Sequence, residues 1–283
     1  MAEILKGAPV AAALSEELIA RAEKLRQAGT VPTLAILRVG ERPDDISYET
    51  GAMKRCDKIG IAVKHFLLPE DCTKEQLLDT IREINSDSSI HGCLMFRPLP
   101  DKAMEDAACA LLAPEKDVDC MTSGSLASVF TGKGAGYPPC TAQACIELLD
   151  HYGVQLTGKR ATVIGRSLVI GKPVSMMLQQ RNATVTMCHT RTVDMPGACR
   201  GAEVVIAAAG KAGVVNKDFA ATGQVVVDVG INVDENGKLC GDVKFDEVEP
   251  VVAAITPVPG GVGAVTTAVL AKHVIEAAEK AQK

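Results

Sequence analysis

Tryptophan is absent from the 283-residue chain, and three Tyr and five Phe are its whole aromatic complement. A surface on which single-stranded nucleic acid stacks its bases needs more π-faces than that. An excess of positive charge is missing too: Lys and Arg number 30 against 35 Asp and Glu, a formal net charge of −5. The molecule as a whole offers no attractive field to nucleic acid or to an anionic bilayer, so an anionic ligand has to be met by a local pocket. No apolar run approaches the roughly 18 residues of a membrane span. The opening Met1-Ala2-Glu3-Ile4-Leu5-Lys6 lacks the basic and apolar regions of a secretory signal. Ten cysteines are scattered from Cys56 to Cys240 with no C-x-x-C pair and no metal-ligand spacing to His. Neither a zinc site nor a disulfide framework is indicated. These absences predict a soluble, unprocessed protein of the reducing cytoplasm, without a metal and without nucleic acid or membrane as a partner.

What is present reads as an ordinary globular composition, 47% hydrophobic and 23% charged, with length for two domains at roughly 150 residues each. Leu14, Leu18, Ala22 and Leu25 recur at helical spacing before the short apolar run Thr33–Gly40. That pattern predicts a helix followed by a buried strand. The alternation continues with a helix from about Ser47 to Ile59, a strand near Ile61–Leu67, a helix carrying Leu77, Leu78, Ile81 and Ile84, and a strand Ile90–Met95. Thr131–Pro139, rich in glycine, breaks the pattern and is the candidate interdomain junction. Strands are then expected at Arg160–Ile164, Ala183–Met187, Val204–Ala208 and Gln224–Val229, and a last helix from about Thr266 to Lys280. Strands separated by helices imply crossover connections and mostly parallel sheets, an α/β fold.

Lys159–Pro173 reads as strand, glycine turn and helix, the arrangement that presents helix N-terminal amides to a pyrophosphate. Its glycines, Gly165 and Gly171, are spaced G-x5-G rather than G-x-G-x-x-G, so a purely structural turn is an equal alternative at this point. After the next strand, where an NAD site places a carboxylate for the ribose hydroxyls, stands Cys188-His189-Thr190-Arg191. With no acid to repel a 2′-phosphate, and with Arg166, Thr190 and Arg191 nearby in sequence, NADP is favoured over NAD, although Arg191 also reads as a solvated surface charge. Pro257-Val258-Pro259-Gly260-Gly261-Val262-Gly263 is a rigid turn allowing close backbone approach, to a ligand or to another segment.

A longer series of motifs, taken in order, is far more specific. It comprises Val39-Gly40 followed by Ser47 and Tyr48, Pro98-Leu99-Pro100, Lys116-Asp117-Val118-Asp119 and Pro139-Cys140-Thr141. It continues with Gly165-Arg166-Ser167, Ala183-Thr184-Val185-Thr186, Asp228-Val229-Gly230-Ile231-Asn232, Gly241-Asp242-Val243 and Ile255–Gly263. Along its whole length the chain resembles the bacterial methylenetetrahydrofolate dehydrogenase/methenyltetrahydrofolate cyclohydrolase family. The resemblance implies an N-terminal α/β domain, residues 1–140 with the final helix 266–283, a Rossmann-like NAD(P)-binding domain over 141–265, a folate cleft between them, and a homodimer. It also implies that Gly165, Arg166, Ser167, Thr190 and Ile231 contact NADP. Asp119 would hold the pterin edge, a carboxylate accepting two parallel N–H donors from a 2-aminopyrimidinone, although a capping or solvated aspartate fits in isolation. Tyr48 would pack beside the folate, with Pro98, Leu99, Pro259, Gly260 and Gly261 contacting the substrate.

Two departures bear on chemistry. The family carries Tyr-x-x-x-Lys, the lysine being its acid/base group, and here the position four after Tyr48 is Ala52. Lys54 lies about 120° around a helix from Tyr48, whereas Ala52 lies about 40° away. Arg55 returns to the Tyr48 face about 10 Å along the axis, and an arginine is a poor proton shuttle. The glutamine that partners the lysine is replaced as well, since Phe96-Arg97 stand where Gln-Leu is usual. Cys120, Ala142 and Ala264-Val265 replace the usual Gly, Pro and Pro-Met without threatening the resemblance. The expectation is an NADP-dependent dehydrogenase of one-carbon metabolism whose cyclohydrolase step is weakened or lost, a separate cyclohydrolase then finishing the step. A fully bifunctional enzyme and a non-catalytic folate- and nucleotide-binding protein are the alternatives.

Overall fold

The alternating helical and extended periods become two separate parallel sheets in the computed structural model, which describes residues 1–282. The chain begins with β1 (Glu3–Ile4), α1 (Gly7–Gln27), β2 (Thr33–Val39), α2 (Pro43–Ile59), β3 (Ala62–Leu68) and α3 (Lys74–Ser86). β4 (Gly92–Met95), α4 (Lys102–Leu111), α5 (Ser123–Thr131), α6 (Cys140–His151), β5 (Arg160–Ile164), α7 (Gly171–Gln180) and β6 (Thr184–Cys188) follow. The remainder is α8 (Met195–Arg200), β7 (Val204–Ala207), β8 (Val225–Asp228), β9 (Asn232–Val233), β10 (Leu239–Cys240), α9 (Phe245–Val248), β11 (Ala254–Ile255) and α10 (Thr266–Ala281).

These elements divide into two compact units. One contains Ala13–Cys140 and the chain from Thr267 on, around the three-stranded sheet β3-β2-β4. The other contains Met1–Ala12 and Thr141–Thr266, around the six-stranded sheet β1-β11-β8-β7-β5-β6. The opening residues correct the expectation that the first domain starts at residue 1. β1 pairs in parallel with β11, Glu3 opposite Ala254 and Ile4 opposite Ile255, and Leu5 N–H donates to the Ile255 carbonyl at 2.9 Å. A two-residue strand carries no periodicity, so only the tertiary pairing reveals it.

In the three-stranded unit β2 is buried at every position, as befits a central parallel strand covered on both faces. β3, on the edge, has no fully buried residue. Leu77, Ile81 and Ile84 of α3 join Ala35, Leu37, Cys93 and Met95 in one core. That helix starts at a capping box, Thr73 accepting from Gln76 N–H while the Gln76 side chain accepts from Thr73 N–H. α2 begins four residues earlier than the hydrophobic period indicates, at Pro43. Proline loses nothing at the first helical position, and Asp44 and Asp45 complement the positive end of the helix dipole.

In the six-stranded unit β5 lies between β6 and β7, all parallel. The chain leaves β5 toward one side and later returns to the other, which makes a topological switch point at the carboxyl end of β5, where open α/β sheets bind ligands. Val205, Ala207, Val226 and Ile255 from the strands pack with Phe219 and Val248 beneath.

Candidate active site

In the three-stranded unit the candidate residues gather at the carboxyl ends of β2 and β4. α2 carries Tyr48, half-buried, and Ala52, which is 1% exposed. Phe96, just past β4, turns its ring edge toward Tyr48, with centroids 6.0 Å apart and planes at 79°. The following loop is pinned at both sides. Arg42 Nη1 donates to the Pro98 carbonyl at 3.0 Å, and Leu99 N–H donates to Glu105 Oε2 at 2.8 Å, so Pro98 and Leu99 are held beside the Tyr48–Phe96 pair. Both proline-rich runs contain a cis peptide bond, Arg97-Pro98 here and Val258-Pro259 in the other unit.

The helix geometry behaves as counted from Tyr48. Lys54 is exposed while Ala52 is buried. Arg55 turns away to α1 and α10, donating to Ser15 Oγ at 2.8 Å and to Thr267 Oγ1 at 3.4 Å. α2 itself is clamped to the sheet by a buried ion cluster that the sequence did not disclose. Arg38 Nε donates to Glu49 Oε2 at 2.9 Å, and His65 Nδ1 lies 3.1 Å from Glu49 Oε1.

The run Lys116-Asp117-Val118-Asp119 resolves into separate tasks. Lys116 Nζ donates to the carbonyls of Ile84 and Asp87 at 2.6 and 2.7 Å, closing the end of α3. Asp117, fully buried, accepts from the backbone N–H groups of Met121 and Thr122 at 3.0 and 2.8 Å, bending the chain through Cys120. Cys120 adopts φ +58°, the left-handed conformation that glycine enters without penalty. Asp119 is half-buried, with Oδ1 accepting from Cys140 N–H at 2.9 Å. Burial pushes its carboxyl above the ordinary carboxylate range, while the Cys140 hydrogen bonds and the positive charge of Arg97 pull it back.

In the six-stranded unit the glycine turn sits at the switch point. Gly165 has φ +130°, and a Cβ on it would fall 2.1 Å from the Ala208 carbonyl at the end of β7. A Cβ on Gly171 would fall 2.3 Å from the Gly165 carbonyl, so the G-x5-G spacing reflects two close backbone approaches. α7 then starts without a side-chain cap. Exposed Arg166, Ser167 and Thr190 flank its start, where the Lys172 and Val174 N–H groups already donate to the Ser167 and Ile170 carbonyls at 3.0 and 2.9 Å and Pro173 has no N–H. Ser167 Oγ accepts from Ile170 N–H at 3.1 Å, shaping the turn, and no carboxylate occupies 188–191 after β6.

Ile231 lies in a different pocket of this unit, a cavity of 280 Å³ lined by Asp228–Ile231 and Pro257–Ala264, which also brings in Pro259, Gly260 and Gly261. Two aspartates frame it. Asp228 Oδ1 accepts from the N–H groups of Gly230 and Asp242 at 2.9 and 3.0 Å, and Oδ2 from Val243 N–H at 2.9 Å. Asp242 accepts from the N–H groups of Ala209, Gly210 and Lys211 and from Asn232 Nδ2, at 2.6 to 3.0 Å. The glycines interlock with them: a Cβ on Gly241 would strike Asp228, and one on Gly230 would strike Asp242. Burial, aided by the charge of Asp242, raises Asp228 to about 6 against the pull of its backbone donors. The motifs Asp-Val-Gly-Ile-Asn and Gly-Asp-Val thus recognise each other, a role their spacing signals only once the two segments are known to meet. Gly7 N–H donates to the Gly260 carbonyl at 2.8 Å, so the opening residues help hold the Pro-Gly-Gly turn.

Two family models match the chain. The tetrahydrofolate dehydrogenase/cyclohydrolase catalytic domain covers residues 5–119, and the NAD(P)-binding domain of the same family covers 139–282. The bifunctional protein FolD of Carboxydothermus hydrogenoformans is 52% identical over 99% of this chain and 98% of its own. Among solved structures, the bifunctional FolD methylenetetrahydrofolate dehydrogenase/cyclohydrolase of Campylobacter jejuni superposes with a TM-score of 0.94 at 36% identity, covering 99% of each chain. The Trypanosoma brucei enzyme, solved with NADP and an inhibitor, gives 0.92 at 33% identity over 100% of this chain and 99% of that one. With its motifs in register, its two sheets and its glycine turn matched along nearly every residue, this chain belongs to the tetrahydrofolate dehydrogenase/cyclohydrolase family.

Proposed function

We propose that the protein oxidises 5,10-methylenetetrahydrofolate to 5,10-methenyltetrahydrofolate with NADP as hydride acceptor, and hydrolyses the product to 10-formyltetrahydrofolate poorly. The observation carrying the second half is the buried Ala52 methyl on the helix of Tyr48, with the Phe96 ring edge beside it. Hydride transfer asks the protein mainly to bind and orient two ligands. Asp119 suits the pterin edge, and Tyr48, Pro98 and Leu99 supply an adjoining apolar surface. Water addition to the methenyl carbon requires a proton to be taken and given by a group of tuned pKa. Neither Ala52 nor Phe96 titrates, Arg55 is committed to Ser15 and Thr267, and Arg97 stays charged.

NADP, when bound, supplies the hydride acceptor. The residues that suit it are the glycine turn Gly165–Ser167 and Thr190, with Ile231 beside the Pro-Gly-Gly turn. Arg166 and the missing acid after β6 favour a 2′-phosphate. In this reading the three-stranded unit carries folate recognition and the six-stranded unit carries the nucleotide. The protein works as a homodimer, for which the exposed Val233 and Leu239 of the β9–β10 hairpin offer apolar surface. Light scattering should then return twice the 29.7 kDa chain mass.

The bifunctional designation of the relatives favours a second reading, with both activities intact through Arg97 or ordered water. One assay separates the two. Methylenetetrahydrofolate and NADP are supplied, and NADPH, methenyltetrahydrofolate and 10-formyltetrahydrofolate are followed together. Accumulation of the methenyl compound supports a weakened hydrolysis. Onward conversion at the rate of oxidation refutes it. Ala52→Lys combined with Phe96→Gln should raise hydrolysis selectively, and replacing NADP by NAD should slow oxidation.

A further inference from the structure

The amino-terminal edge of the three-stranded sheet, opposite the edge bearing Tyr48 and Phe96, holds a cavity of 640 Å³. That volume lies within the range of small-molecule sites. Its walls include Ile90, His91, Lys116, Tyr137, Ala277 and Lys280. A groove of 380 Å³ continues from it, sharing Ser88, His91 and Ala281.

Two polar side chains on the wall are more than nine-tenths buried and incompletely paired. His91 is 7% exposed, and its Nδ1 accepts from Thr33 N–H at 3.1 Å. The proton of the neutral ring is therefore on Nε2, a donor with no partner among the described residues. Tyr137 is 3% exposed, stacks at 5.0 Å on His273, and its hydroxyl likewise has no hydrogen-bond partner among the described residues. Among the described residues no fully buried side-chain N or O lacks a partner, so these two polar tips are open to the cavity, where a ligand's acceptor can reach them. Lys280 adds an ammonium fixed 4.2 Å above the Tyr137 ring, and Lys116 a second one, against the single lining carboxylate of Glu115. His91 and Lys280 can only donate, so a fitting ligand presents acceptor oxygens. Ile90, Ala135, Ala277, Ala281 and the Tyr137 ring surround those donors with apolar surface, which suits a ligand with an apolar body better than a fully hydrated inorganic anion.

We propose that this cavity is a second binding site, for a small organic carboxylate bearing an aromatic or branched apolar body, held by His91 Nε2–H, the Tyr137 hydroxyl and the Lys280 ammonium. It is separate from Asp119 and from the folate reading, and its test does not depend on catalysis.

The probe is 4-fluorobenzoate, titrated into the full-length protein and followed by 19F NMR, with inorganic phosphate as competitor. Saturable binding that phosphate does not displace is expected. Tyr137→Phe and Lys280→Ala remove no hydrogen bond within the protein, and each should weaken binding by about fivefold, the loss of one hydrogen bond or exposed charge contact. Circular dichroism checks that both variants fold. Asp119→Asn should leave binding unchanged. The proposal is overturned by an absence of saturable binding, by phosphate displacing the probe, by folded variants at Tyr137 and Lys280 that bind as the wild type does, or by loss of binding in Asp119→Asn.

Discussion

Asp119 shows how much of a residue's role is set by the few atoms around it. Its carboxyl suits two parallel donors of a pterin edge while ionised, and burial pushes its pKa above the ordinary value of 3.8. Folate KM should therefore rise as pH falls through that raised value, because the protonated carboxyl has lost half of its accepting face. Asp119→Asn should raise KM by roughly tenfold to a hundredfold, the loss of a charge-assisted hydrogen bond. It should also flatten the acidic limb of the KM profile, and steady-state kinetics across pH would check both. The aspartate and its motif are visible in the sequence. The N–H of Cys140 that orients it, and the left-handed backbone at Cys120 beside it, are not, because neither follows from residue type.

At the scale of elements, α2 matters because it bears Tyr48 and Ala52, and what fixes its position is the Arg38–Glu49 pair, with side chains 9% and 10% exposed. Glu49→Ala leaves the Arg38 charge buried and unmatched, and chemical denaturation should report a loss of about 3–5 kcal/mol. Replacing both partners by Leu and Met should cost much less. The loops around Asp228 invite a pH test. Its folded value, raised to about 6 from 3.8, means that its contribution to stability is complete below the unfolded value and is lost as pH rises through about 6. From pH 7 to pH 5 the wild type should gain melting temperature relative to Asp228→Asn, by calorimetry at matched ionic strength. Hydrophobic period located these helices and strands. It was silent about the ion cluster, because Arg38 and Glu49 stand 11 residues apart and nothing local requires them to meet.

For the molecule as a whole, the division into units ignores chain order. Met1–Ala12 supply β1 and the Gly7 contact to Gly260 inside the six-stranded unit. Removing Met1–Lys6 should therefore lower the melting temperature and weaken NADPH binding, the first by exposing the edge of β11 and the second by loosening the Pro-Gly-Gly turn. Thermal melts and a fluorescence titration would measure the two effects. If the deletion changes neither, the opening strand contributes nothing to that unit.

The sequence by itself determined the α/β class, the parallel strands, the family and the substitution of Ala52 and Phe96, since each rests on local period or on an ordered series of motifs. Tertiary structure alone decided where the opening strand goes, that Asp117 is spent on the backbone N–H groups of Met121 and Thr122, and that Arg55 is spent on Ser15 and Thr267. The reason is the same in each case. Periodicity and motif describe neighbours along the chain, whereas a buried charge or an orphaned N–H is satisfied by whichever group folding brings within about 3 Å.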